Sequence, residues 1–300
     1  MHPGEAARAY VDEPVADLDA ASRAARRAAA QWGLSEPQLL RASMNAIYEA
    51  DDVVLRVSAP TVDASASLDL LGHLARVDVR VPVAARDEVV RLDGLSVTGW
   101  QRIEPAAAPI DWHGVGAMVR TVHGLDPAEL PGSVPLPRPA SFPWWDFDTL
   151  LERVGGVVDE SARVGLVATI ERHRDWRGFD GAVVCHGDVH PGNVMMTADG
   201  PVLIDWDLLC WAPPGWDHGP MATWASRWGG DPDDYEAFTA GYGRSLAHDE
   251  VTLAFAELRL VAATLLRLAT ALRDPAAMPE AQRRLAYWRG DPDAPMWTAQ

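Results

Sequence analysis

The spacing of apolar and polar positions changes several times along the chain, and each change marks a different element. Residues 15–31 are rich in alanine and arginine and read as a helix ending near Gly33. The period then shortens to two. Residues 45–58 read as a strand, a short turn at Asp51-Asp52 and a second strand. Val53, Leu55 and Val57 share one face there, and Val54 and Arg56 the other. Residues 64–76 read as a helix. Residues 87–92 and 95–103 read as two strands joined at Asp93-Gly94, a strong hairpin signal. This part of the chain is expected to form a small antiparallel sheet with one helix inserted.

Residues 105–109 read as a linker, and helical spacing dominates beyond it. Val115, Met118 and Val122 lie on one helical face before His123-Gly124. The proline-rich residues 131–143 form a loop, with a lid as one reading. Residues 159–173 are helical. Residues 182–185 look like a strand, and residues 194–205 like a hairpin turning at Asp199-Gly200. Leu258, Val261, Leu265, Leu268 and Leu272 make a helical stripe expected in the core. The pattern predicts an α+β chain in two lobes: a small β-rich lobe over residues 1–104 and a larger, mainly helical lobe over residues 105–300.

Composition narrows this picture. Acids outnumber bases 43 to 26, for a net charge of −17, and every base is arginine. So acidic a surface argues against general nucleic-acid binding. It would favour a cationic small partner, but solubility is the simpler and preferred reading. Two cysteines, Cys185 and Cys210, cannot build a disulfide framework or a zinc site unaided. The first thirty residues carry acids throughout and no apolar segment, so no signal peptide is visible. Residues 251–272 are apolar but broken by Glu257, Arg259 and Arg267, which suits a buried helix and no membrane span. A cytoplasmic location is the expectation.

The chemistry concentrates in residues 186–207. Asp188 stands five residues before Asn193, and Asp205 twelve residues after that. A carboxylate, an amide and a second carboxylate on adjoining loops are what phosphoryl transfer requires. Asp188 is the candidate base that takes a proton from an attacking hydroxyl. Asn193 and Asp205 offer the oxygen donors that a hard cation such as Mg2+ prefers. His186 is expected to brace the loop through hydrogen bonds. His190 is placed either to donate toward the transferred phosphate or to stand as a solvated loop histidine. Pro191 and Gly192 shape the turn. Asp207 is read as a cap for the next segment, with a second metal as the alternative.

On these residues the chain resembles the aminoglycoside phosphotransferase family of the protein-kinase-like superfamily. His186-Gly187-Asp188, Asn193 and Ile204-Asp205-Trp206-Asp207 match that family's catalytic loop and following segment. Asp217 matches a further aspartate that is usually structural there. Residues 118–126 look like the family's helix ending in Leu-His, and residues 45–57 like its nucleotide-covering hairpin and third strand. The resemblance implies a two-lobed protein-kinase-like fold that binds ATP or GTP with Mg2+. It places Ser43, Asn45 and Arg56 on the phosphates, and the base against Gln101 and Ile103. Two departures stand out. Arg56 occupies the place of a lysine that binds the α/β-phosphates; it keeps the charge and can fork onto phosphate. The helix that should offer a partner glutamate has Ser67 near that place, so Asp63 or Asp69 could substitute, or Arg56 could be unpaired. The covering loop, residues 41–45, also lacks glycines.

The implied activity is transfer of the γ-phosphoryl group to a hydroxyl of an aminoglycoside-like or other small acceptor. Choline-, ethanolamine- and sugar-type acceptors belong to the same class, and a nucleotide-binding pseudokinase is the alternative from another class. Most tryptophans are expected in the core. A minority could stack on a sugar or hold a cation. The acidic run Asp231, Asp233, Asp234 and Glu236 reads as a helix start capped by Asp231, with Pro232 in first position.

Overall fold

Alternation along β-forming residues builds the first layer. In a computed structural model, which describes residues 14–298, Asp17 caps helix α1 (Leu18–Trp32) by accepting the Ala20 N–H at 2.9 Å. The helix stops at Gly33, whose φ of 68° is left-handed. Strands β1 (Gln38–Ala42), β2 (Ala46–Ala50) and β3 (Val53–Ser58) follow, then helix α2 (Ser65–Arg76) and strands β4 (Val90–Leu92) and β5 (Leu95–Gln101). The five strands form one antiparallel sheet in the order β1-β2-β3-β5-β4. Val53, Leu55 and Val57 bury together with Ala21, Ala24, Ala25 and Ala28 of α1. Val54 packs into a second cluster on the far side of the sheet. Alternation alone therefore explains why Arg56, in phase with Val54, looks away from α1.

The helical lobe begins with α3 (Trp112–His123), α4 (Phe147–Val154) and α5 (Glu160–Arg172). Two ribbons interrupt it. Strand β6 (Val183–Cys185) pairs with β9 (Cys210–Ala212), and between them β7 (Val194–Thr197) pairs with β8 (Gly200–Leu203). Helices α6 (Gly215–Trp228), α7 (Pro232–Tyr242), α8 (Glu250–Ala271) and α9 (Met278–Trp288) complete it. Leu258, Val261, Leu265 and Leu268 of α8 are buried in one cluster with Trp145, Trp176 and Trp216. Leu272, the last residue of the expected stripe, is exposed just past the helix. No helix of the described residues is long and apolar enough to cross a membrane.

Two expectations change. Residues 38–42 form an edge strand that periodicity does not reveal, because all five positions are exposed and no face is buried to impose alternation. The proline-rich loop is no lid. It buries Leu136 and Phe142, and the Pro137 carbonyl accepts the Trp211 N–H at 2.8 Å, which straps it to β9.

Helices α3 and α7 meet where glycine faces backbone. A Cβ on Gly116 would collide with the Phe238 carbonyl oxygen, and one on Gly241 with that of His113. Ordinarily a glycine-to-alanine change inside a helix stabilises by about 1 kcal/mol. Here the collision should reverse the sign. Gly116→Ala is expected to destabilise by roughly 2 kcal/mol, read from its urea unfolding midpoint.

Candidate active site

Backbone turns bring the candidate residues together. After β6 the chain makes a tight bend at Gly187, whose φ is 95° and whose Cβ would strike the Leu208 carbonyl oxygen. A 3-10 turn, Pro191–Asn193, then leads into β7. The Ile204 N–H donates to the Asn193 carbonyl at 2.9 Å, so the β7–β8 hairpin returns Asp205 to within one residue of that bond. Asp205 itself has a left-handed backbone, with φ at 63°.

The loop is tied from below. Asp217 on α6 is fully buried and accepts the N–H groups of His186 at 2.9 Å and Gly187 at 2.7 Å. His123 Nε2 lies 3.0 Å from the same carboxylate, and its Nδ1 lies 2.9 Å from the Tyr242 hydroxyl. Burial alone would raise the Asp217 carboxyl; the His123 contact and the Gly187 N–H outweigh it and hold it below the usual range. His186 is equally buried. Its Nδ1 accepts the Asp188 N–H at 3.1 Å, which leaves Nε2–H to donate to the Ile204 carbonyl at 3.1 Å. Burial pushes its pKa down to about 4, so the ring is neutral near pH 7.

The Asp188 carboxylate has three neighbours. One oxygen forms an ion pair with Arg259 of α8. The other accepts from Asn193 Nδ2 at 3.1 Å and lies 3.4 Å from His190 Nε2. Arg259 also donates to the Gly187 carbonyl at 3.2 Å, and burial lowers its pKa to about 10, which leaves it charged. In the sequence Arg259 reads only as a break in an apolar stripe. The available signal was that a charge on a buried helix face needs a partner.

Asn193 is buried and also donates Nδ2 to the Asp188 carbonyl at 2.9 Å. Its amide nitrogen is thus committed, which leaves the carbonyl oxygen as the end able to hold a cation. The His190 Nδ1 accepts the Gly192 N–H at 3.0 Å, so in the neutral ring Nε2 carries the proton. Burial lowers the His190 pKa, which favours that neutral form. Its ring stacks on Trp224 at 5.5 Å and 8°, and Trp224 on Trp228 at 5.4 Å and 15°.

Asp205 is open to solvent on one side, yet the cleft walls crowd it. That crowding pushes its carboxyl up and the nearby Asp207 adds to the push, while Arg56, Arg41 and His190 pull it back. An under-compensated carboxylate and an uncommitted amide oxygen form an all-oxygen donor pair of the kind that fits a hard dication. Arg41 was not foreseen as part of the site. It pairs with Ile47 across β1–β2, and Ile47 with Arg56 across β2–β3, so the three share one sheet face.

Arg56 is where two expectations fail. Asp207 is not a cap: it lies inside the 3-10 turn Trp206–Leu208, whose cap position is Asp205. Its carboxylate instead takes a two-pronged bond from Arg56, Nη1 to Oδ1 at 3.0 Å and Nη2 to Oδ2. Asp63 pairs with Arg91 at 2.6 Å, and Asp69 accepts from the Ser133 hydroxyl at 2.6 Å. Neither substitutes for the missing glutamate. Ser43 and Asn45 sit at the β1–β2 tip, where the Ser43 N–H donates to the Asn45 carbonyl at 3.0 Å. Gln101 is less suited to a base than expected, since its N–H already donates to the Val83 carbonyl at 2.8 Å. Ile103 lies half-buried just beyond β5.

A five-stranded sheet lobe stacked on a helical lobe, with an acidic loop and hairpin below the sheet, defines a two-lobed α+β fold of the protein-kinase-like kind. The chain belongs to the phosphotransferase enzyme family (APH), whose model matches residues 44–255. No curated protein matches the chain. Among solved structures, a spectinomycin phosphotransferase with ADP and spectinomycin bound is similar at a TM-score of 0.62 and 16% identity, over 85% of this chain and 89% of that one. A choline/ethanolamine kinase family protein from Mesorhizobium loti is similar at a TM-score of 0.63 and 19% identity, over 93% and 95%. A GDP complex of an aminoglycoside 2'-phosphotransferase gives 0.64 and 14%, over 88% and 96%. At these identities the likeness speaks for the fold.

The buried histidines set a pH dependence. His186 and His218 both have pKa values lowered by burial to about 4 from an ordinary 6.5. The unfolded chain therefore takes up these protons first as pH falls. Stability is full above about pH 6.5 and drains toward pH 4, by up to about 3 kcal/mol per histidine. Urea unfolding at pH 7 and pH 4.5 should show that loss; equal unfolding free energies would contradict it.

Proposed function

We propose that this chain transfers the γ-phosphoryl group of ATP or GTP to a hydroxyl of a small acceptor, in the class of aminoglycosides and related amino-sugar compounds. The observation that carries the reading is the Asp188 carboxylate, bonded to the Asn193 amide beside the Asp205 hairpin. Residues 1–104 serve as the nucleotide lobe and residues 105–300 as the catalytic and acceptor lobe. Asn193 and Asp205 would hold Mg2+, which when bound neutralises charge on the nucleotide phosphates. Ser43, Asn45 and Arg56 face the phosphates, and the segment Gln101 to Ile103 faces the base.

Asp188 orients the acceptor hydroxyl and takes its proton. Its ion pair with Arg259 suits this task. In a loose phosphoryl-transfer transition state the hydroxyl loses its proton late, so a well-placed weak base serves as well as a strong one. Arg259 holds the carboxylate in one position, and the Asn193 amide fixes the other oxygen. His190, neutral with its proton on Nε2, presents a donor beside Asp188 that can meet the transferring group. His186 and Asp217 hold the loop and touch no reactant.

The relatives support the class and not the acceptor, because one fold hosts many substrates. A panel of aminoglycosides, spectinomycin, choline, ethanolamine and simple sugars, with ATP or GTP and magnesium, would identify it by the phosphoryl mass gain. For a turned-over acceptor, Asp188→Asn should lower kcat by about 10^3-fold while nucleotide affinity stays near wild type. Full transfer by that variant would sink the reading. Nucleotide binding with no turnover across the panel would instead favour a regulatory pseudokinase. Arg259→Met should lower kcat by roughly tenfold or more, with nucleotide affinity again unchanged.

A further inference from the structure

On the phosphotransfer reading above, we infer that Arg41 is a phosphate-binding residue: its side chain holds the nucleotide's phosphate chain where a glycine-rich loop would use backbone N–H groups. The covering loop, residues 41–45, has no glycine. Every residue in it therefore keeps a Cβ between its backbone and a ligand. Its tip is also tied down. The Ser43 N–H donates to the Asn45 carbonyl at 3.0 Å, so that amide is spent. The Met44 carbonyl accepts the Val15 N–H at 3.0 Å, which fastens the tip to the chain ahead of α1. A loop built this way leaves the contact to a charged side chain.

A register shift in β1 delivers that side chain. Leu39 lies opposite Tyr48. An unbroken ladder would then set Leu40 opposite Ile47 and Arg41 opposite Ala46. Ala46 is fully buried in the cluster that α1 makes with the sheet, so Arg41 would be aimed into that packing. Instead the register shifts between Leu39 and Arg41, and Arg41 lies opposite Ile47 while Ala42 lies opposite Ala46. Leu40 is the extra residue and is exposed. One inserted residue exchanges the two faces of a strand. Arg41 thereby joins Ile47, Arg56 and Thr98 on the face away from α1.

The charge arrives where phosphates are expected. Burial pushes the Asp205 carboxyl up and Asp207 adds to the push, while Arg56 and Arg41 pull it back. Arg41 is thus close enough to be felt at the carboxylate that the phosphotransfer reading puts on magnesium. The phosphates that such a metal bridges would lie beside both groups. Among the described residues no hydrogen bond or ion pair engages the Arg41 guanidinium. Its strand alone holds it near the site, and its N–H groups can fork onto a phosphate.

The test is binding of ATP or GTP, and of the matching nucleoside, to the full chain by calorimetry in excess chelator, so that no metal contributes. Arg41→Gln should weaken triphosphate binding by about tenfold. The nucleoside has no phosphate, and its affinity should stay within about twofold of wild type. Arg41→Lys keeps the charge but loses the fork, and should cost about threefold. Arg23→Gln removes an exposed arginine of α1, on the other side of the sheet, and should leave both ligands unchanged. That control separates a contact from the loss of one positive charge in an acidic chain. Wild-type triphosphate binding by Arg41→Gln overturns the inference. So does an equal loss for the nucleoside, which marks a damaged sheet, or an equal loss in Arg23→Gln, which marks charge alone. If the wild-type protein binds neither ligand, the phosphotransfer reading fails first and the inference falls with it. Normal binding and turnover by Arg41→Gln would leave that reading standing and remove only the role of Arg41.

Discussion

A carboxylate taken out of water stays charged only if hydrogen bonds and charges replace its hydration. Asp217 meets that demand with two backbone N–H groups and one imidazole. The donors come from two parts of the lobe: the loop after β6 gives both N–H groups, and His123 at the end of α3 gives the imidazole. One buried oxygen pair thereby fixes where the loop starts relative to α3 and α6. His186 extends the tie, because its ring receives the Asp188 N–H and reaches the Ile204 carbonyl in the returning hairpin. The positions of Asp188 and Asp205 both descend from that anchor. Cys185 lies within the same cluster, but the polar atoms of His123 and Asp217 are already occupied. The cluster is a brace.

Above the brace the cleft has an ordered charge pattern. Asp188 is matched by Arg259 from α8, and Asp207 by Arg56 from β3. Between them Asp205 is compensated less, by the more distant pull of Arg41, Arg56 and His190. Of the three carboxylates, Asp205 is the least compensated. Arginine suits this arrangement, since each guanidinium can bond a carboxylate and a carbonyl together. Arg259 does so with Asp188 and Gly187, and Arg284 does so with Glu280 and the Ala263 carbonyl.

Much of this was legible in the sequence for a definite reason. The β7–β8 hairpin, the β2–β3 pair and the α7 cap depend on interactions within a few residues, and local chemistry writes them plainly. Asp231 caps its helix, with Pro232 in first position, as read from the sequence. The spacing of Asp188, Asn193 and Asp205 was likewise readable, because one loop and one hairpin span it. What escaped were partners brought together over long separations. Arg259 lies 72 residues from Gly187, and Asp207 lies 151 residues from Arg56. No periodicity links such positions, and each residue alone had a commonplace local reading, as a break in a stripe or as a cap. Strand β1 escaped for another reason: an edge exposed on both faces leaves no alternation to read.

The tryptophans bear on acceptor choice in the same way. A ring can hold a sugar or a cation only through an open face. Trp224 lies parallel to both His190 and Trp228, and Arg284 lies over Trp228 at 4.9 Å. Trp297 closes edge-on against Trp228 at 5.2 Å, held where Arg284 also bonds the Thr298 carbonyl. These faces are engaged with one another, so the stack works as a wall that fixes the His190 ring beside Asp188. Acceptor preference must then come from groups that line the cleft without being consumed in its construction. The aromatic content of the chain is therefore a weaker guide to its substrate than its abundance suggests.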